Sequence, residues 1–346
     1  MLVHEPIEQE TMEDVMRAVQ ATEFGGPEVL AVREVPEPVA GPGEVVVDVS
    51  AADVMFLDTQ LRSGWGTEFF ELEPPYVPGG AIGGVVSAVG AGVEESWLGK
   101  RVATATVASG IGGGRPIGGY AEKALAKADT LVAVADGLSV LQAVALAHDG
   151  KSALAVFDRA EIKPGEWVLI TAAGGGLGTL LIQFARAAGA HVIAAARGAA
   201  KLELATRLGA EVVVDYSEPD WQAAARAATG GTGANVVLDG AGGALGGAAV
   251  QAAADGGRFI GYGAAAGGFA ELDQADAAAR GISALGLFDI TGDSTDWHAL
   301  AQRAQSAVVA GNVEVVIGQT FPLEEADRAH AAIASRATVG RTLLTV

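Results

Sequence analysis

The residues best suited to chemistry cluster in one stretch, WVLITAAGGGLGTLLIQFARAAGAHVIAAA, at residues 167–196. Ala173, Gly175 and Gly178 fall on the frame of a dinucleotide-binding turn, with Gly174 and Gly176 as further glycines and Leu177 between the last two. Backbone without Cβ atoms lets a pyrophosphate come close. A helix that starts at the turn also points free N–H groups and the positive end of its dipole at the phosphates. The first frame position is Ala, so the fingerprint is imperfect; the competing reading is a tight structural turn in a sheet that binds something else.

The residues after the second strand of this unit select the cofactor. An NAD site places Asp or Glu there to bind the ribose 2′-hydroxyl. This chain reads Ala194, Ala195, Ala196, Arg197, Gly198 and has no acid until Glu203. Arg197, with Lys201 one helical turn later, offers charge-assisted hydrogen bonds to a 2′-phosphate. The pattern predicts NADPH over NADH, against the alternative of two solvated cations at a helix start.

Such a site needs strands and helices to hold it, and the surrounding chain supplies them. From about Leu138, helical LQAVALAHDGKSALAVFDRA leads to strand WVLITAA, the glycine loop and helix LGTLLIQFARAAG. Strand HVIAAA, helix AKLELATRLG, strand EVVVDY, helix PDWQAAARAA, strand ANVVLDGAG, helix GGAAVQAAADG and strand GRFIGYGA follow. That alternation predicts a parallel, doubly wound sheet. Before it, MRAVQATEFGG, LAVREV, GEVVVDVSAADV and GGVVSAVG are short β-branched runs broken by Gly and Pro, the texture of an irregular β domain. The expected organisation is an acidic extension over 1–15, a β-rich catalytic domain over 16–138 and 286–346, and an inserted dinucleotide domain over 139–285.

Bulk properties narrow the class. A chain of 346 residues exceeds what one core usually supports, and its Ala- and Gly-rich apolar half suits closely packed α/β layers. A formal charge of −20 repels nucleic acid and anionic lipid. The absence of cysteine excludes disulfides, thiolate catalysis and cysteine–zinc sites. The opening MLVHEPIEQETMEDV lacks the apolar stretch of a signal peptide, and no uncharged apolar run has the composition and length of a membrane span, so a cytoplasmic location is expected.

Together with the glycine loop, DTQLRSG, PPYVPGGAIGGVVSAVGAGV, LGAEVVVDY, VVLDGAGG, GRFIGYG and VIGQTFPLEEADRAHAAIASRATVGRTLLTV carry a likeness. Over nearly all of residues 16–346 the chain resembles the quinone oxidoreductase (zeta-crystallin-like) branch of the medium-chain dehydrogenase/reductase superfamily. The resemblance implies a GroES-like catalytic domain and a Rossmann domain with the active site in the cleft between them. It places Gly175, Gly176, Leu177 and Gly178 at the pyrophosphate, and Lys201 and Tyr216 at the 2′-phosphate. Ser152 falls beside the nicotinamide, Gly261, Tyr262 and Gly263 at its carboxamide, and Arg336 at a cofactor contact. It also implies a homodimer or tetramer joined through the Rossmann-sheet edge, here ISALGLFDI at residues 282–290.

Departures from that pattern shape the expected reaction. Zinc-binding relatives carry Cys where this chain has Met55, and His-Glu where it has Gly80 and Ala81, so no metal is expected. Without a Lewis acid, the natural reaction is hydride delivery to an already polarised quinone or α,β-unsaturated carbonyl. The branch usually has Asn at Met55, Tyr at Gln60 and Tyr at Gly66, which leaves Met55, Gln60 and Trp65 to line a wider or more apolar substrate cleft.

Gln60 and Lys151 are the candidate catalytic side chains. Lys151 would steady a developing enolate, or else point to solvent or pair with Asp149. Asp53, Tyr76 and His148 are further candidates to reach the cleft; the competing readings are a turn or cap residue, a packed loop aromatic and a helix-face residue, in that order. The leading expectation is an NADPH-dependent quinone or enone reductase. The alternatives are a stand-alone enoyl thioester reductase and an NADPH-binding sensor with little turnover.

Overall fold

Long Val, Ile and Ala runs become strands buried on both faces, as a parallel sheet requires. The computed structural model describes residues 14–67, 72–105, 117–290 and 295–346; most of the acidic extension lies outside the described residues. Six strands run parallel in the order Val212–Asp215, His191–Ala196, Trp167–Ile170, Ala234–Asp239, Ala253–Gly261, Ser283–Gly286. Strand residues alternate between two cores: Val168, Ile170, Val192, Ala194, Val236 and Leu238 face one, while Leu169, Ile193, Ala195 and Val237 face the other. The strand order reverses between Trp167–Ile170 and Ala234–Asp239, which opens a crevice at their carboxyl ends.

A second sheet of seven strands is mostly antiparallel and centres on Glu44–Asp53. That strand pairs with Ala81–Val89 along one side. Its other side is shared by Lys123–Lys127 at one end and the C-terminal strand Arg341–Thr345 at the other. The chain therefore returns at its end to complete a sheet begun near its start, and puts Arg341 beside Asp53.

The helix Val140–Ala160 joins the two sheets. Ser139 caps it, its hydroxyl accepting from the Gln142 N–H. Val144 and Ala145 pack with Ala51 and Leu343 of the antiparallel sheet, while Ala153, Leu154 and Val156 enter the core of the parallel one. The helix Trp297–Val309 lies along it and sends Leu300 and Ala304 into the same parallel-sheet core. Gly150 permits that approach: a Cβ there would stand 2.8 Å from the Cβ of Ala304.

Two elements differ from expectation. The helix anticipated over GGAAVQAAADG ends at Gln251, and the last four residues of that stretch (253–256) already belong to the strand Ala253–Gly261. Ala253 is drawn into the sheet by pairing with Ala234, across a register shift before Val236. Only Ser283–Gly286 of the ISALGLFDI segment is strand; Leu287–Ile290 turns into a short helix.

Candidate functional site

The glycine loop folds as its residue types demand. The strand Trp167–Ile170 ends, Ala172 takes a left-handed φ of 50°, and the helix Gly176–Ala187 starts behind Gly175. A Cβ on Gly178 would lie 2.6 Å from the Ala172 carbonyl oxygen, so only glycine lets the first helical turn sit on the loop. A Cβ on Gly176 would meet both Arg341 Cδ and Asp149 Oδ2 at 2.1 Å. Leu177 turns away and packs against the parallel-sheet core. In front of the loop is a cavity of about 400 Å³ bordered by Gly174, Gly175, Gly176, Arg197, Lys201 and Arg336, among others.

One end of this cavity is cationic. Arg197, Lys201, Tyr216 and Arg336 all border it. Lys201 Nζ donates to the Arg336 carbonyl at 2.6 Å. Arg336, itself at a left-handed φ of 60°, lies with its guanidinium 4.3 Å from the Phe56 ring centre and donates to the Ala265 carbonyl at 2.6 Å. Burial lowers the Lys201 pKa, and the charges of Arg336 and Arg197 lower it further. Among the described residues no carboxylate stands within ion-pair distance of these three cations. The nearby acid Asp215 instead accepts from the Gly198 N–H at 3.0 Å and from Ser217.

Another wall is organised by Arg341, which the sequence reading did not assign to the site. Arg341, its side chain 13% exposed, donates through Nε to Asp53 Oδ1 at 3.0 Å, with a second contact between Nη2 and Oδ2. Its Nη1 stands 3.0 Å from Asp149 Oδ2. Burial brings the Arg341 pKa down to about 10, so it remains a cation at neutral pH. Asp53, expected as a turn or cap residue, is therefore a fully buried strand carboxylate, and Asp149 serves Arg341 rather than Lys151. Gly340 N–H donates to the Gly174 carbonyl at 2.8 Å and ties the C-terminal segment to the loop. The sequence signal for all this was the GRTLLTV ending, whose arginine had no visible partner.

Asp239 was also missed. It is buried at the end of Ala234–Asp239 and accepts from Thr171 Oγ1 at 2.5 Å and from the N–H groups of Ala241 and Gly242 at 3.1 Å. Those bonds shape residues 240–243, from which Ala241 borders the cavity. Tyr262 and Gly263 donate their N–H groups to the Asp239 carbonyl at 2.9 and 3.2 Å, so the expected Gly261, Tyr262 and Gly263 segment meets this loop. A Cβ on Gly263 would sit 2.3 Å from the Gly240 carbonyl oxygen. The Tyr262 hydroxyl is buried against Gly240 with no hydrogen-bond partner.

The expected substrate residues surround the helix Phe56–Arg62. Met55 is buried at its N-terminus, between Val54 and Phe56, which border the cavity. Gln60 is half-buried one turn on, and Trp65 is half-exposed beyond the helix. Under the helix lies a buried polar cluster: the Tyr120 hydroxyl is 3.2 Å from Asp58 Oδ2 and 3.0 Å from His330 Nε2. Tyr76, buried as expected, carries a hydroxyl with no hydrogen-bond partner.

Ser152 lies half-buried on the long helix, next to Lys151. Lys151 neither points to solvent nor pairs with Asp149. It is buried and faces a separate cavity of about 230 Å³ on another side of that helix. Among the described residues no group of three or more His, Asp or Glu side chains could hold a metal ion, and no helix is long and apolar enough to cross a membrane.

Two family models match, the alcohol dehydrogenase GroES-like domain over residues 41–136 and the zinc-binding dehydrogenase over residues 176–306. The chain is 32% identical over 332 residues to the 2-haloacrylate reductase of a Burkholderia species, covering 92% of this chain and 96% of the relative. It is 32% identical over 337 residues to the quinone oxidoreductase of Sus scrofa, covering 96% and 99%. A mycobacterial structure complexed with NADPH superposes with a TM-score of 0.84 at 32% identity, covering 96% of this chain and all of that one. An NAD-dependent alcohol dehydrogenase structure gives the same TM-score at 34% identity and the same coverage.

Proposed function

The chain belongs to the medium-chain dehydrogenase/reductase family, and on that premise we propose that it is an NADPH-dependent reductase of quinones or α,β-unsaturated carbonyl compounds that works without zinc. The observation that carries the cofactor choice is the unneutralised set of Arg197, Lys201 and Arg336 at one end of the glycine-loop cavity. An adenosine 2′-phosphate supplies the anion this set lacks, whereas a ribose 2′-hydroxyl would find no acid to accept from it.

The residues present fit that cofactor. Gly178 lets the start of the helix sit on the loop, Gly176 makes way for Arg341 and Asp149, and the cavity of about 400 Å³ opens in front of them. The N-terminus of Gly176–Ala187 suits the pyrophosphate, and Arg341, held by Asp53 and Asp149, packs against Gly176 and fixes the start of that helix. When bound, NADPH supplies the hydride. The chain's own work is to orient it, to hold its phosphates and to keep the acceptor in the cleft.

The acceptor class follows from donor chemistry. With no cysteine, and with Met55, Gly80 and Ala81 where zinc-binding relatives place their ligands, the protein has no Lewis acid to stabilise an alkoxide. Quinones and enones are already polarised, and water can protonate the reduced product. The acceptors named by the two relatives, a quinone and a 2-haloacrylate, both answer to this description.

We further assign residues 139–285 to the cofactor domain and 16–138 with 286–346 to the catalytic one, bridged by the contact of Trp297–Val309 with Val140–Ala160. The edge strand Ser283–Gly286, followed by Phe288 at 82% exposure, supports pairing with a second copy. A chain free of cysteine suits a reducing compartment, so the cytoplasm is the proposed location.

The test is NADPH and NADH oxidation, followed by loss of the reduced-nicotinamide absorbance, against quinones, enals and enoyl thioesters. Turnover with NADPH on quinones or enals supports the reading. Turnover on thioesters alone would make the protein an enoyl reductase of a biosynthetic route. NADPH binding with no turnover on any acceptor would make it a sensor.

A further inference from the structure

Phe56 opens the helix Phe56–Arg62 and borders the cavity of about 400 Å³ in front of the glycine loop. Its backbone is pinned just ahead of it. The Val54 N–H donates to the Thr342 carbonyl at 3.0 Å, and the Met55 N–H donates to Asp58 Oδ2 at 2.8 Å. The half-buried ring therefore stands on a stretch of chain with little freedom to shift.

Against that ring lies Arg336, its guanidinium 4.3 Å from the ring centre. Arg336 follows the helix Ala326–Ala334; its N–H donates to the Ile333 carbonyl at 3.0 Å, and its own carbonyl accepts from Lys201 Nζ at 2.6 Å. The residue is exposed, and a long exposed side chain has many rotamers open to it. Two contacts narrow the choice: the Phe56 ring against the guanidinium, and the Ala265 carbonyl at Nη2. The helices that carry the two partners are joined beneath, where the Tyr120 hydroxyl lies between Asp58 on the first and His330 on the second.

An arginine can be oriented by a carboxylate or by an aromatic ring, and the two leave it in different states. A carboxylate takes in-plane N–H groups and offsets the charge, as Asp53 does with Arg341. A ring attracts the cation electrostatically and leaves both the charge and the N–H groups available. Among the described residues no carboxylate is within ion-pair distance of Arg336. We propose that Phe56 is a positioning residue for cofactor selection: its ring holds the Arg336 guanidinium beside the cavity with its charge unspent, ready for the 2′-phosphate of NADPH. Discrimination between NADPH and NADH is then built partly outside the unit that carries the glycine loop. Phe56 follows the central antiparallel strand Glu44–Asp53, and Arg336 precedes the C-terminal strand Arg341–Thr345. The inference rests on the NADPH reading and adds the residue that aims one of its three cations.

The experiment is calorimetric titration of the full chain with NADPH and with NADH, in the wild type and in variants of the pair. Phe56→Leu should weaken NADPH about fivefold, the loss expected for one cation–ring contact, and leave NADH unchanged. Phe56→Met, a second apolar replacement without a ring, should reproduce this if the Leu variant folds poorly. Phe56→Tyr keeps a ring and should keep the NADPH affinity. Arg336→Met should itself weaken NADPH alone, and adding Phe56→Leu to it should cost little more, because the ring then has no cation to place. Equal weakening of both cofactors by Phe56→Leu would make the ring a packing residue and overturn the proposal. Losses that simply add in the double variant would overturn it too. A wild-type preference for NADPH that survives loss of the ring would leave the NADPH reading standing without the inference; a wild type that binds NADH as tightly as NADPH would remove that reading and the inference with it.

Discussion

Arg341 Nη1 stands 3.0 Å from Asp149 Oδ2 while its Nε donates to Asp53 Oδ1 at 3.0 Å. One guanidinium thus joins the C-terminal strand, the central antiparallel strand and the long helix, immediately beside Gly176. Removing it strands two buried carboxylates. Arg341→Gln should cost about 3 kcal/mol or more in urea unfolding, and should weaken NADPH in titration even where the variant is folded. Full stability in the variant would show that the two acids find other partners.

The cation set at the other end of the cavity makes a cofactor-specific prediction. Arg197→Ala combined with Lys201→Ala should weaken NADPH by about a hundredfold and spare NADH, since each charge-assisted hydrogen bond contributes roughly 1.5–3 kcal/mol. Calorimetric titration with both cofactors checks it. Equal loss of both would assign these residues a structural role.

Gly178→Ala places a Cβ 2.6 Å from the Ala172 carbonyl, a backbone atom that moves only with the loop. The variant should fold with a lower Tm and bind either nicotinamide cofactor at least about tenfold more weakly, because displaced N–H groups no longer meet the pyrophosphate. Gly256→Ala, at an exposed position of the strand Ala253–Gly261 with open space around it, should cost stability through its φ of 72° and leave cofactor binding alone. Comparable binding losses in both would mean that the loop geometry is not what the cofactor reads.

The buried cluster under Phe56–Arg62 sets a pH dependence. Burial raises Asp58 to a pKa of about 7 from the usual 3.8, against the hydrogen bonds from Met55 and Tyr120. A raised carboxyl pKa favours folding most below the unfolded value, and this advantage is lost as pH climbs from about 4 to 7. Asp58→Asn removes the titration, so its Tm relative to wild type should rise between pH 5 and pH 8, by on the order of 2 kcal/mol in stability. His330, which burial and Arg62 hold neutral down to about pH 3, is common to both proteins and cancels in the comparison. A constant difference across that range would mean that Asp58 does not titrate there.

The parallel-sheet unit was legible in residues 167–196 because strand, turn and helix are local features, written within a few residues of one another. Arg197 and Lys201 were legible for the same reason: their distance from the glycine loop is set by one βαβ unit of nearly fixed geometry. Tertiary structure alone decided the rest. The partners of Arg341, Asp53 and Asp149, lie 288 and almost 200 residues before it, and no spacing rule links them. Lys151 and Asp149 look like an ion pair in sequence, yet residues two apart on a helix point to different faces. The packing of Trp297–Val309 against Gly150 then settled what each face meets: Asp149 turns to the cofactor loop, and Lys151 to a cavity of its own.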